Sequence, residues 1–200
     1  MELLGALRPA DGKGWIGSWS PGIGDPTLVG WVTVGLYFVA ACLCLLIARR
    51  QGARSRGSER LFWWGLCALL VLLGINKQLD LQTALTELGR SWSRNQGWYE
   101  YRHKVQRAFI LAVGLCAIGA IGGLLFWMRR APAPTHVAIV GASLLLAFVV
   151  IRASSFHHVD LFIGSRWWGM RKNWIIEIGG LLVVIAGAGW RFRRLLVNDA

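Results

Sequence analysis

The apolar residues of this chain fall into five long, nearly uninterrupted blocks, and that arrangement decides what it can fold into. Thr27–Ala48, Leu61 to about Leu81, Ala108–Met128, Thr135 to about Phe156 and Trp174–Trp190 are each close to twenty residues long. None alternates with period two, and none confines its polar residues to one helical face, so none reads as a surface helix or strand of a water-soluble domain. A hydrocarbon layer of about 30 Å is crossed by about twenty helical residues. Only helices or closed barrels satisfy their backbone groups there. The expected fold is all-α, a polytopic bundle of about five transmembrane helices over residues 27–194. Residues 1–26 form an interfacial segment before it, and 195–200 a short tail.

Charge sets the expected orientation. The formal net charge of +12 invites a nucleic-acid reading, but the basic residues sit in sets beside span ends. Arg49, Arg50, Arg54, Arg56 and Arg60 form one set, Arg129 and Arg130 a second, and Arg191, Arg193 and Arg194 a third. With five spans these share one side, which the positive-inside rule makes cytoplasmic. The N-terminus is then outside, the C-terminus inside, and the main loops, 82–107 and 157–173, extracytoplasmic. The setting is the plasma (inner) membrane, and no nucleic-acid partner is expected. Trp63, Trp64, Trp127 and Trp190 at one boundary and Trp31, Trp98, Trp167 and Trp174 at the other match the two aromatic belts of a bilayer. The four cysteines lie inside apolar blocks, without zinc-ligand spacing.

Two blocks turn polar early. Leu61–Ile75 continues as Asn76-Lys77-Gln78-Leu79-Asp80, and Val137–Ile151 continues as Arg152-Ala153-Ser154-Ser155-Phe156-His157-His158-Val159-Asp160. Asn76 and Arg152 are each the sixteenth residue from the start of their block, roughly 22–24 Å along a helix. Ionisable groups at such a depth are costly and mark functional sites by default. The fifth span brings Glu177, and the third brings Arg107. An outer polar layer framed by spans two to five is therefore expected, with Lys77, Arg107 and Arg152 opposite Asp80, Glu177 and Asp160.

Several chemistries fit that layer. Its charges could be structural ion pairs. His103, His157, His158 and Asp160 could ligate a divalent metal, zinc first, since a catalytic zinc site takes three protein ligands and leaves one position open. Ser154 with His157 or His158 and Asp80 could form a nucleophile, base and orienting carboxylate. Asn76, Lys77, Arg107, Arg152 and Glu177 could bind a head group, with Arg152 as a planar clamp for an oxyanion. The leading expectation is a pocket that binds, and acts on, a membrane lipid or other amphipathic substrate with metal or acid–base help, as in a membrane-embedded hydrolase. The competing expectation is a non-enzymatic subunit of a larger membrane complex. Gly119 and Gly123 with Gly114 and Gly122, and Gly179, Gly180, Gly187 and Gly189, supply faces for close helix packing within the chain, in a homo-oligomer or against a partner.

Overall fold

The computed structural model describes residues 22–51, 57–79, 84, 88, 102–153, 166–167 and 170–199. Five helices dominate it: α1 (Leu28–Arg50), α2 (Gly57–Leu79), α3 (Arg102–Trp127), α4 (Ala133–Ala153) and α5 (Lys172–Asp199). A minimal antiparallel ribbon precedes α5, pairing β1 (Arg166–Trp167) with β2 (Met170–Arg171). Four stretches are long and apolar enough to cross a membrane: Leu28–Arg50, Gly57–Leu79, Ala133–Val150 and Trp174–Val197. In α3 the corresponding apolar stretch is Leu111–Trp127, 17 residues.

Local chemistry sets the helix ends. Thr27, extended at φ −70° and ψ 155°, caps α1 by accepting from the Gly30 amide at 3.1 Å. Arg49 and Arg50 fill the last turn of α1, where the helix dipole favours cations. Pro132 and Pro134 stand at the start of α4, where a missing N–H costs nothing. The α3–α4 turn is closed by the Ala131 amide donating to the Met128 carbonyl at 2.8 Å.

The helices pack in the order α2, α1, α5, α4, with α3 resting lightly on α4. The core runs through Tyr37, Ala40, Cys44 and Ile47 of α1, Trp63, Leu66 and Leu70 of α2, Ile139, Ala142 and Leu145 of α4, and Leu181, Val184 and Ala188 of α5. Small residues set the α4–α5 spacing. A Cβ on Gly187 would lie 2.6 Å from the Ala138 amide nitrogen, and one on Gly141 would lie 2.7 Å from the Val184 nitrogen. No real Cβ approaches a backbone that closely, so these two helices touch main chain to main chain.

Large apolar side chains also face outward along the helices. Leu61, Leu72, Leu111, Leu115, Ile118 and Phe126 are all at least 60% exposed. An apolar exterior of this extent on helices of this length is suited to hydrocarbon, not water.

Candidate functional site: buried polar nodes at both ends of the bundle

Buried polar side chains gather at the two ends of α2 and α5. At the end that holds the start of α5, Lys77 of α2 donates to Glu177 of α5, Nζ to Oε2, at 2.8 Å. Both side chains are 4% exposed. The Tyr37 hydroxyl of α1 donates to the other Glu177 oxygen at 3.2 Å. Asp25, just before α1, places Oδ2 3.8 Å from the same ammonium. The Gly24 amide donates to the Gln78 carbonyl at 2.6 Å, which docks the segment before α1 onto the end of α2.

Helix geometry explains this convergence. Cα–Cβ bonds tilt toward a helix N-terminus. Tyr37, nine residues into α1, therefore leans back toward the end where Glu177 begins α5. Lys77, at the C-terminal end of α2, leans inward along the bundle instead of outward. Its ammonium cannot simply snorkel to the interface and is held by carboxylates. The described part of this node has two carboxylates for one ammonium.

Beside Lys77 stands an unsatisfied amide. Both Nε2 and Oε1 of Gln78 are buried and lack a hydrogen-bond partner among the described residues. An unpaired buried polar group costs about 1–3 kcal/mol.

The opposite node centres on Glu59 of α2. Arg191 of α5 grips it with two N–H groups, Nε to Oε1 at 2.8 Å and Nη2 to Oε2 at 3.1 Å. The Thr135 hydroxyl of α4 donates at 2.8 Å and the Trp63 indole at 3.4 Å. Eighteen residues separate Glu59 from Lys77 and fourteen separate Glu177 from Arg191. Antiparallel α2 and α5 are thus tied at both ends by ion pairs of opposite polarity. A slip of one helical turn, about 5.4 Å, would break both.

Of the residues the sequence nominates, Lys77 and Glu177 are brought into direct contact. Asn76 is half-buried in the last turn of α2. His103 and Arg107 belong to the first turns of α3, and Arg152 to the last turn of α4. Asp80, Ser154, His157, His158 and Asp160 lie outside the described residues. Among the described residues no group of three His, Cys, Asp or Glu side chains could hold a metal ion. From sequence the layer is framed by spans two to five; in the structure α1 also takes part, through Tyr37 and the adjoining Asp25. Tyr37 is hard to find from sequence, because a lone phenol inside an apolar block reads as an aromatic packing residue. Glu59 offered a better signal: it is the one acid among the basic residues that flank the start of α2.

No family model, curated protein or solved structure matches the chain.

Proposed function

We propose that this is an inner-membrane protein, N-terminus outside and C-terminus inside, whose outer polar layer binds the head group of a lipid or similar amphipathic substrate and acts on it. The observation that carries the binding part is the Gln78 carboxamide, buried and without a hydrogen-bond partner among the described residues, one position after Lys77 on α2. A buried donor and acceptor left unpaired are what a polar ligand would satisfy. The orientation rests on the basic sets beside the ends of α1, α3 and α5 and the start of α2. Arg152 and Arg107 are assigned as cations that complete the layer, clamping an oxyanion of the substrate. His157 and His158 are assigned as proton carriers or as metal ligands together with His103 and Asp160. Asp80 orients them, and Ser154 is the candidate nucleophile.

Elemental analysis of detergent-purified protein, wild type beside His157→Ala/His158→Ala, tests the chemical part. Near-stoichiometric zinc, iron or copper in the wild type that disappears in the variant is the expected result. Metal-free wild type, prepared without chelators, overturns the metal assignment and leaves acid–base chemistry or binding alone.

A second reading is favoured by α3. Among its described residues, Gly114, Gly119, Gly122 and Gly123 have no neighbour within 4 Å of where a Cβ would stand. The helix shares little contact with the rest of the bundle. An accessory subunit would dock a partner helix on this face. Leucine at Gly119 and Gly123 would then abolish assembly and leave the isolated chain folded.

A further inference from the structure

The end of the bundle opposite the Gln78 node carries a surface that the substrate site does not use. The Arg50 guanidinium at the end of α1 lies over the Phe192 ring of α5, 5.0 Å from its centroid. Glu59 at the start of α2 binds Arg191 of α5 and Thr135 of α4. The α3–α4 turn carries Arg129 and Arg130. The same end therefore gathers Arg49 and Arg50, Arg60, Arg129 and Arg130, and Arg193 and Arg194, all of them exposed.

Two features turn this charge into a binding surface. First, Glu59 is already engaged. Glu59 is 6% exposed and accepts from Arg191, Thr135 and Trp63. It has little capacity left to neutralise the neighbouring guanidiniums. Second, three of the guanidiniums are positioned by ring faces. Besides Arg50 over Phe192, Arg129 lies 4.6 Å from the Phe126 centroid and Arg194 lies 5.0 Å from that of Trp190. Attraction to a ring face leaves guanidinium N–H groups available for oxyanions, and an already placed fork loses less freedom on binding. These rings sit beside apolar helix surface at the span ends, the level at which phospholipid phosphates lie.

We propose that this arginine collar, above all Arg49 and Arg50 of α1 with Arg193 and Arg194 of α5, binds the phosphates of anionic phospholipids in the adjoining leaflet. Clusters of four to eight basic residues at a membrane boundary attract anionic lipid, and phosphate suits the bidentate fork of arginine. This occupant is distinct from the substrate of the Gln78 node, which lies at the other end of the same helices.

The test reconstitutes the full chain in phosphatidylcholine bilayers with trace spin-labelled phosphatidylglycerol or spin-labelled phosphatidylcholine. The immobilised fraction of each label is measured at about 0.1 M and about 1 M NaCl, between which the screening length falls from about 10 to about 3 Å. Wild type should prefer phosphatidylglycerol by about three- to tenfold at low salt, and high salt should remove most of that preference. Arg49→Gln/Arg50→Gln/Arg193→Gln/Arg194→Gln should lose it, and Arg193→Gln/Arg194→Gln alone, which leaves α1 intact, should lose part of it. Added inorganic phosphate at 10 mM should compete no better than its ionic strength predicts. Equal immobilisation of the two lipids by wild type overturns the proposal. So does a preference that is undiminished in the two-residue variant when that variant retains its helical circular dichroism.

Discussion

Lys77→Met should be among the most damaging single substitutions in the chain, lowering stability by about 3–5 kcal/mol, the usual cost of orphaning one member of a buried ion pair. Two magnitudes bear on this. Polar contacts between membrane helices contribute only about 0.6 kcal/mol on average, so the loss of the contact itself is small. The stranded charge decides the outcome. Glu177, 3% exposed, would keep only the Tyr37 hydroxyl among its described partners. A carboxylate at membrane depth costs several kcal/mol. The double variant Lys77→Met/Glu177→Gln removes both charges and should recover more than half of the loss. Unfolding in graded denaturing detergent, followed by circular dichroism, measures all three proteins. Additive losses in the double variant would show that the two side chains are not paired.

Gly187→Ala should cost about 3 kcal/mol, toward the upper end for overpacking, because the added methyl meets main chain. It would stand 2.6 Å from the Ala138 nitrogen and 2.9 Å from the Pro134 carbonyl oxygen. Those atoms cannot rotate away as a side chain would, so α4 and α5 must separate along their length. Gly123→Ala on α3 is the control, since nothing lies within 4 Å of its Cβ position. There the change should be neutral or stabilising by up to about 1 kcal/mol, from helix propensity. Thermal melts of the two variants in the same detergent make the comparison. Equal effects would contradict the described α4–α5 contact.

These two cases show what the amino-acid pattern reveals and what it hides. Apolar block length predicts the helices, because it follows from the thickness of hydrocarbon. Lys77 and Glu177 stand out because ionisable groups are rare inside such blocks. Their pairing is less visible: helical depth places them in a common outer layer, but azimuth around each helix decides which groups meet. Tyr37 and Asp25 join the node for that reason, one from an apolar face and one from a Pro- and Gly-rich approach segment. Glycines illustrate the same limit. The Gly119/Gly123 pair has the more familiar spacing, yet Gly141, Gly180 and Gly187 meet a neighbouring helix. Spacing identifies a face on which backbones can approach, and only the bundle's arrangement determines which face is used. Arg191 follows Trp190 at a span end and reads as one more interfacial cation. Its grip on Glu59, 132 residues away, depends on α2 and α5 both packing on α1.

The central claim is that the Gln78 node receives a polar head group, and Gln78→Leu tests it most directly. Leucine has nearly the volume of glutamine and removes the unsatisfied donor and acceptor, so the free protein should melt at the same temperature or higher. Reconstituted wild type is irradiated with a phospholipid that carries a photoreactive head group, and the labelled peptides are identified. Labelling is expected in the segments around 22–37, 76–79 and 174–180 in wild type, with at least a fivefold reduction there in Gln78→Leu without loss of stability. Absence of label from those segments in wild type, or undiminished labelling in Gln78→Leu, would contradict it.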